Sequence, residues 1–329
     1  MGQVPGNQII GKVKTVTMLQ PPTPHAFGRA TFCFRNEYSI FDFGRMPDEI
    51  PFKGESLCRM AVHNFMELQK TGMRTHFVKR ISPLEFEVKT VRVLYPESGE
   101  ISPQTTNFLI PLEIIFRNML PRGSSMLKRL QSGALKPGEV GLTRIPKEGE
   151  RLQKPIIDYT TKLEKADRHL KNNEARVLAC MTEKEFAEME QMALKVNAFL
   201  NEKAESIGLE HADGKIEMAF TPKRELMLVD TFGTLDEDRF LLNGMHLSKQ
   251  VIRDYYAKTQ WGKEIEKKEA GLPYHLNAPK PLPRDLVDLV SCMYQSVCES
   301  WVGERIWNAP PVEEIVQDIN AYTEKINAM

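Results

Sequence analysis

Residues 110–130, IPLEIIFRNMLPRGSSMLKRL, open as an apolar run with the character of a core strand, yet the run holds Glu113 and ends in Arg117 and Asn118. A Gly-Ser-Ser turn and a basic segment follow at once. A core strand has no need of a carboxylate, a guanidinium and a hydroxyl loop in succession. An unpaired buried carboxylate is expensive, so Glu113 requires a partner. Arg117 is the residue type that grips a carboxylate or phosphate through two parallel N–H bonds. RGSS (122–125) offers backbone N–H groups and hydroxyls in a turn that Gly123 permits. A structural salt bridge with a helix cap would use the same residues. Taken together they predict a core strand whose end delivers Arg117 and Ser124 to an anionic ligand.

The remaining chain narrows the class of that ligand. Its 329 residues are enough for two domains, and 44 basic against 44 acidic residues leave a net charge of +0. A dedicated duplex-binding protein would carry a basic excess, so no nucleic-acid partner is expected. The five cysteines, Cys33, Cys58, Cys180, Cys292 and Cys298, form no CxxC pair. This supports neither a zinc knuckle nor a disulfide framework and fits reduced thiols in the cytoplasm. The N-terminal residues lack the apolar core of a signal peptide. No apolar run approaches the roughly 18–20 residues that span a bilayer.

Residues 1–95 read as mostly β, with strands over 8–16, 29–36, 74–81 and 85–94. One helix interrupts them over 55–70, with Leu57, Met60, Ala61, Phe65 and Leu68 on one face and Gly72 past its end. A polar hairpin tip over 95–107 precedes a strand over 108–117. A Gly-, Pro- and Lys-rich loop covers 131–155. Thr182 and Glu185 form a capping box for a helix over 183–207, closed by Gly208. Strands 214–220 and 225–230 are joined by the tight turn TPKR, and a helix over 247–258 starts with Ser248 as cap. Residues 262–282 look like a linker, and helices cover 284–303 and 311–329. The expected division is 1–95, 96–260 and 261–329.

Four further groups carry chemistry. Lys12 and Lys14 in GKVK, two apart on the expected first strand, would leave one face together as a polyphosphate clamp or as a solvated edge. FRNEYSIFDFG (34–44) offers Ser39 and Asp42 in a loop that either binds substrate or forms a turn. Glu217, mid-strand in KIEMAF, and Asp230, at the end of LMLVD, approach each other in a hairpin. Two such carboxylates repel unless a cation lies between them, and Mg²⁺ with nucleotide phosphates is the usual solution. Arg239 and three acids follow in GTLDEDRF (233–240).

These pieces, in this order, resemble the phosphoribosylaminoimidazole-succinocarboxamide synthase (SAICAR synthetase) family. GKVKTV looks like its GKxKxVY strand, and FRNEYSIFDFG like its F-K/R-(N/D)-x-x-S-A-x-D-G loop. IPLEIIFRNMLPRGSSMLKR is similar to V-P-x-E-x-V-x-R-N-x-x-x-G-S, the most specific match. KPIIDYTTK stands for P-x-x-(D/E)-x-x-x-K, and GKIEMAF with LMLVDTFGTLDEDRF for D-x-K-x-E-F-G and D-E-x-x-T-P-D-x-S-R. The likeness covers roughly residues 9–260. Thr17, Thr231 and the longer loop TLDEDR depart from the pattern.

The resemblance implies an α+β fold: a small N-terminal antiparallel β domain, a larger α/β domain with the ATP site between them, and C-terminal helices. It implies an ADP-forming ligase joining L-aspartate to the carboxylate of carboxyaminoimidazole ribonucleotide (CAIR) through an acyl phosphate. In that scheme Lys12 and Lys14 neutralise ATP phosphates, Glu217 and Asp230 hold Mg²⁺, and Lys89 borders the adenine. Arg117, Ser124 and Arg239 grip the ribonucleotide, with Asn118 and Ser39 beside it, while Asp42 and Lys215 line the substrate side. A ligase or kinase of the same fold acting on another carboxylate, or an inactive binding relative, are the other readings. The terminal helices could serve a homodimer.

Overall fold

The computed structural model describes residues 3–4, 7–11, 13–41, 43–164 and 167–327. Two antiparallel sheets organise them. The first holds β1 (Gln3–Val4), β2 (Gln8–Ile10), β3 (Lys14–Gln20), β4 (Gly28–Phe34), β5 (Phe77–Ser82) and β6 (Glu85–Thr90), in the order β1-β2-β3-β4-β6-β5. The strand expected over 8–16 is broken here. β2 and β3 are separate antiparallel strands, and the Gly11 N–H donates to the Lys14 carbonyl across the turn (2.9 Å). Lys14 therefore opens β3, and Lys12 lies outside the described residues.

Helix α1 (Lys53–Lys70) crosses behind this sheet, and the five apolar residues of its expected stripe are all buried. Phe65 of α1 stacks on Phe77 of β5, with ring centroids 5.6 Å apart, and meets Phe232 edge-on at 5.1 Å. Each such side chain contributes roughly 1.5–3 kcal/mol by burial. Together they tie the first sheet to the segment carrying residues 230–238.

The second sheet holds β7 (Phe108–Leu109), β8 (Leu112–Met119), β9 (Arg151–Thr161), β10 (His169–Leu170), β11 (Glu210–Phe220), β12 (Leu226–Val229), β13 (Arg239–Leu242) and β14 (Met245–Leu247). Its order is β10-β9-β8-β11-β13-β14, with β7 and β12 also paired to β11. Residues 110–111 separate β7 from β8, which divides the expected strand. The β11–β12 hairpin forms as expected, with Glu217 opposite Val229. Segment 95–107 is not a hairpin tip: Arg92 and Phe108 on either side of it bridge in parallel. The chain is passing from one sheet to the other there, pinned by the Asn107 carboxamide donating to the Thr23 (2.6 Å) and Ala26 (2.7 Å) carbonyls.

The other helices are α2 (Ser125–Gln131), α3 (Asn172–Leu178), α4 (Glu183–Ser206), α5 (Gln250–Ala257), α6 (Gln260–Glu269), α7 (Arg284–Val302) and α8 (Val312–Asn327). Helix α4 covers the back of β8 and β11 with Phe186, Met189, Ala193, Val196 and Leu200. The helix expected from 247 starts at Gln250, because residues 245–247 extend the sheet as β14. The expected linker 262–282 begins as α6, capped by Thr259, whose Oγ1 accepts from the Gly262 N–H (3.1 Å). Among the described residues no helix is long and apolar enough to cross a membrane.

The capping box of α4 is complete: Thr182 Oγ1 accepts from the Glu185 N–H (3.2 Å), and Glu185 Oε2 accepts from the Thr182 N–H (2.8 Å). Thr182→Ala should cost about 1 kcal/mol, read as a lower urea midpoint at unchanged slope. An unchanged midpoint would show that the cap contributes nothing.

Candidate functional site

Successive side chains of a strand point to opposite faces. On β11 this places Asp213, Lys215, Glu217 and Ala219 on one face, at spacings of about 6.6 Å. The neighbours share that face: Asp213 lies opposite Arg117, Lys215 opposite Ile115, and Ile115 in turn opposite Asp158 of β9. The site runs along this row in three zones.

The central zone is a cluster of lysines and carboxylates. Lys215 Nζ lies 2.9 Å from Glu113 Oε1 and 3.5 Å from Glu217 Oε1. Lys162 Nζ lies 2.6 Å from Glu217 Oε1, and Lys14 pairs with Asp230. Glu113 thus has the partner it requires. Burial and the neighbouring Asp230 charge push the Glu217 carboxyl above its ordinary range. Burial acts the same way on Asp230, but Lys14, Lys215 and Lys162 outweigh it and hold that carboxyl well below the ordinary range. Asp230 sits at φ 60°, a left-handed conformation that costs a non-glycine residue energy. His76 Nε2 meets its carbonyl at 3.0 Å, and burial pushes that imidazole down to about 3, so it stays neutral.

The second zone is a cavity of about 280 Å³ beyond Lys215. Its wall carries Arg117, Lys215, Arg239, Lys249 and Arg253 against Asp213, Asp236, Glu237 and Asp238. Arg117 is buried and divided between Asp158 (3.1 Å) and Asp213 (3.2 Å). Arg239 clamps Asp213 through Nε (2.7 Å) and Nη2. The two arginines hold the Asp213 carboxyl below its ordinary range although burial opposes them. Lys249 forms no ion pair among the described residues, and burial lowers its pKa while Asp236 raises it. Next to Arg239, Asp238 faces His211 Nε2 at 2.9 Å and accepts the Gly233 N–H (2.7 Å). Gly214 makes this approach feasible, since a Cβ there would lie 1.7 Å from Asp238 Oδ1.

The third zone is a cleft of about 390 Å³ between the sheets, bordered by Phe27, Lys89, Met73, Thr75 and Met227. Lys89 Nζ stands 5.6 Å from the Phe27 ring centroid. Met227, Ala219 and Val229 form a small apolar cluster with Phe27, Val91 and Leu109. Asp230 lies three residues from Met227, about 10 Å along an extended chain.

The structure thus brings together Lys14, Lys215, Glu217 and Asp230, joins Arg117 and Arg239 in the adjoining cavity, and puts Lys89 in the cleft. Two expected substrate residues turn elsewhere. Ser124 is buried and its Oγ accepts the Leu127 N–H (3.4 Å) as the cap of α2, leaving Ser125 to line the cavity. Asn118 lies on the opposite face of β8 from Arg117. Its carboxamide donates to Asn197 (2.9 Å) and Asn201 (3.0 Å) of α4. Ser39 is half-buried in the loop after β4, and Asp42, like Lys12, lies outside the described residues. The site also uses residues to which the sequence analysis gave no individual role: Asp158 and Lys162 of the KPIIDYTTK segment, Asp236 among the acids of GTLDEDRF, Asp213 and Lys249. The spacing Asp213-x-Lys215-x-Glu217 is the signal that could have placed Asp213 on the shared face. Nothing local in the sequence marked Lys249.

The family model described as SAICAR synthetase matches residues 8–268. The chain belongs to the SAICAR synthetase family. A relative from Archaeoglobus fulgidus, provisionally named phosphoribosylaminoimidazole-succinocarboxamide synthase, is 38% identical over 333 residues, covering 96% of this chain and 100% of its own. The Thermoplasma acidophilum enzyme of that name is 37% identical over 283 residues, covering 83% of this chain and 93% of its own. By family the chain is a carbon–nitrogen ligase of purine biosynthesis. The fold is likewise that of SAICAR synthetases. The Saccharomyces cerevisiae SAICAR synthase complexed with SAICAR superimposes with TM-score 0.66 at 21% identity, over 94% of this chain and 99% of its own. A type-2 SAICAR synthetase in complex with ADP gives 0.64 at 20% identity, over 91% and 99%.

Two expectations follow. Asn118→Ala removes the donor that links β8 to α4 and should cost at least about 2 kcal/mol of stability without changing the Michaelis constant of any substrate. A raised constant at unchanged stability would return Asn118 to the substrate. Burial pushes Asp238 up to about 6, against about 4 when unfolded. Its contribution to stability is therefore full below pH about 4 and lost as pH rises through about 6. Asp238→Asn should flatten the dependence of the denaturation free energy on pH between about 4.5 and 7. An unchanged slope would contradict the shift.

Proposed function

We propose that the chain joins the amine of L-aspartate to the carboxylate of CAIR, converting ATP to ADP and phosphate. The observation that carries this reading is Lys215. It closes the lysine–carboxylate cluster and also lines the arginine-walled cavity, so the nucleotide phosphates and an anionic substrate meet across one ammonium group. The adenine would occupy the cleft at Phe27, Lys89 and Met227, with its phosphates reaching toward Asp230. The related structures complexed with ADP and with SAICAR are consistent with both occupants. On this reading residues 1–95 face the nucleotide and residues 96–260 hold substrate and metal.

The central cluster sets three lysines, Lys14, Lys162 and Lys215, against three carboxylates, Glu113, Glu217 and Asp230. It is already balanced, so a polyphosphate needs added positive charge. Glu217 and Asp230 fit Mg²⁺, which takes one or two carboxylates plus substrate phosphates. Among the described residues no group of three or more acidic, His or Cys side chains could hold a metal, so the ion would arrive with the nucleotide. Held by Glu217 and Asp230, the ion would supply positive charge for the nucleotide phosphates, and Lys14, which pairs with Asp230, would be the residue placed to reach a phosphate.

A carboxylate is a poor acyl donor. The CAIR carboxylate would take the γ-phosphoryl group of ATP to give an acyl phosphate and ADP. The aspartate amine would then attack that carbon, expel phosphate and lose a proton. Phosphoryl transfer of this kind depends on positioning and charge neutralisation. Lys215 would neutralise charge between the donor phosphate and the accepting carboxylate. Arg239 and Lys249 would hold the ribonucleotide, with Arg117 fixing Asp213 beneath them.

The test is ADP release from Mg-ATP with CAIR and L-aspartate, together and each omitted. ADP formed only with both supports the ligase. ADP formed with neither, or with another carboxylate in place of CAIR, overturns it. Asp230→Ala should lower turnover by at least about a hundredfold, in line with losing one transition-state contact, while the ligand-free protein remains folded, with a lower melting temperature because Lys14 loses its partner. Full activity would remove Asp230 from the site.

A further inference from the structure

Helix α7 reaches the site from behind. Ser291, Tyr294 and Trp301 share one side of it, at helical spacings of three and seven, and all are buried. Ser291 Oγ donates to the Pro51 carbonyl just before α1 (2.7 Å). Trp301 Nε1 donates to Asn64 Oδ1 (2.7 Å), and the Asn64 amide passes on to the carbonyls of Phe232 (3.0 Å) and Gly233 (3.1 Å). Tyr294 OH donates to Asp236 Oδ1 (2.7 Å). One helix therefore holds the loop between β12 and β13 at both of its halves.

Asp236 is the sensitive point. It stands in the wall of a cavity whose other carboxylates are each taken up by partners, Asp213 by Arg117 and Arg239, Asp238 by His211, and Glu237 by the hydroxyls of Thr231 and Thr234, and Lys53 with Lys249 holds its carboxyl down to about 2 against burial, so it is charged. Lys53 Nζ, fully buried, lies 2.9 Å from Asp236 Oδ2. That contact has the separation of an ion pair without the angle of a hydrogen bond. The Tyr294 hydroxyl is thus the directed bond that fixes which way the carboxylate faces. Turned toward Lys53, its charge is cancelled. Turned into the cavity, it would repel an anionic substrate and compete for Lys249.

We propose that Tyr294 is a positioning residue for the ligase reaction, holding the Asp236 charge against Lys53 and out of the path of the ribonucleotide. This makes residues 284–302 part of the substrate site. The inference rests on the reading of the cavity as the ribonucleotide site.

The test is steady-state kinetics of Tyr294→Phe, which keeps the ring and removes one O–H. The Michaelis constant for CAIR should rise about tenfold, the size expected from losing one charged hydrogen bond. The constant for ATP and kcat should stay within about twofold. In an Asp236→Asn background the same change should add little, since the two would act through one contact. A fall in melting temperature with no selective effect on CAIR would overturn the proposal, as would full additivity with Asp236→Asn. If the wild-type chain does not turn over CAIR and aspartate, the ligase reading fails by itself. The positioning claim is then read by calorimetric titration with inorganic phosphate. Weaker phosphate binding by Tyr294→Phe supports it. Equal binding, or none by the wild-type chain, overturns it.

Discussion

The two-residue period of β11 is the constraint on which the site depends. Asp213, Lys215, Glu217 and Ala219 must share a face, and their order fixes the order of the zones: arginine-walled cavity, ammonium junction, paired carboxylates, apolar cleft. The opposite face must be core, because α4 lies on it with Phe186, Val196 and Leu200. The register between β11 and β13 shifts between His211 and Asp213. That irregularity lets His211 face inward to Asn118 and Asp238 while Asp213 faces outward to Arg117 and Arg239.

A site built of buried charge has to balance itself before any ligand arrives. Paired buried ions gain little net stability, and removing one partner is costly. Arg117, shared by Asp158 and Asp213, and Lys53, set against Asp236, are therefore scaffolding for charge more than contacts for substrate. On the proposed reading the groups that would change partner are Lys14, from Asp230 to a phosphate, and Lys249, which forms no ion pair among the described residues. The left-handed backbone at Asp230, braced by the neutral His76, marks where the fold accepts local cost to aim a carboxylate.

Much of this was legible in the residues. Apolar spacing placed the buried stripe of α1, Thr182 and Glu185 announced α4, and TPKR announced the β11–β12 hairpin. The polar residues inside the β8 run pointed to the site before any fold was known. What stayed hidden has physical reasons. Gly11 turns the chain where β-branched residues on both sides suggested one strand. Ser124 and Ser125 are adjacent hydroxyls, and only the helix geometry decides which one caps. Asn118 follows Arg117 directly, so strand alternation sends it to the other face, a consequence the family motif does not convey. Asp236 finds Lys53 and Tyr294 across the fold, and no local pattern brings those three together.

The central claim is that this face lets a carboxylate accept a phosphoryl group before the amine attacks. The most direct measurement is the fate of ¹⁸O placed in the CAIR carboxylate during turnover with ATP and L-aspartate. The account predicts one labelled oxygen in each released phosphate, carried over when the amine displaces the acyl phosphate. Unlabelled phosphate alongside labelled product would mean that the carboxylate is never phosphorylated, and the charge arrangement described for β11 would need another purpose.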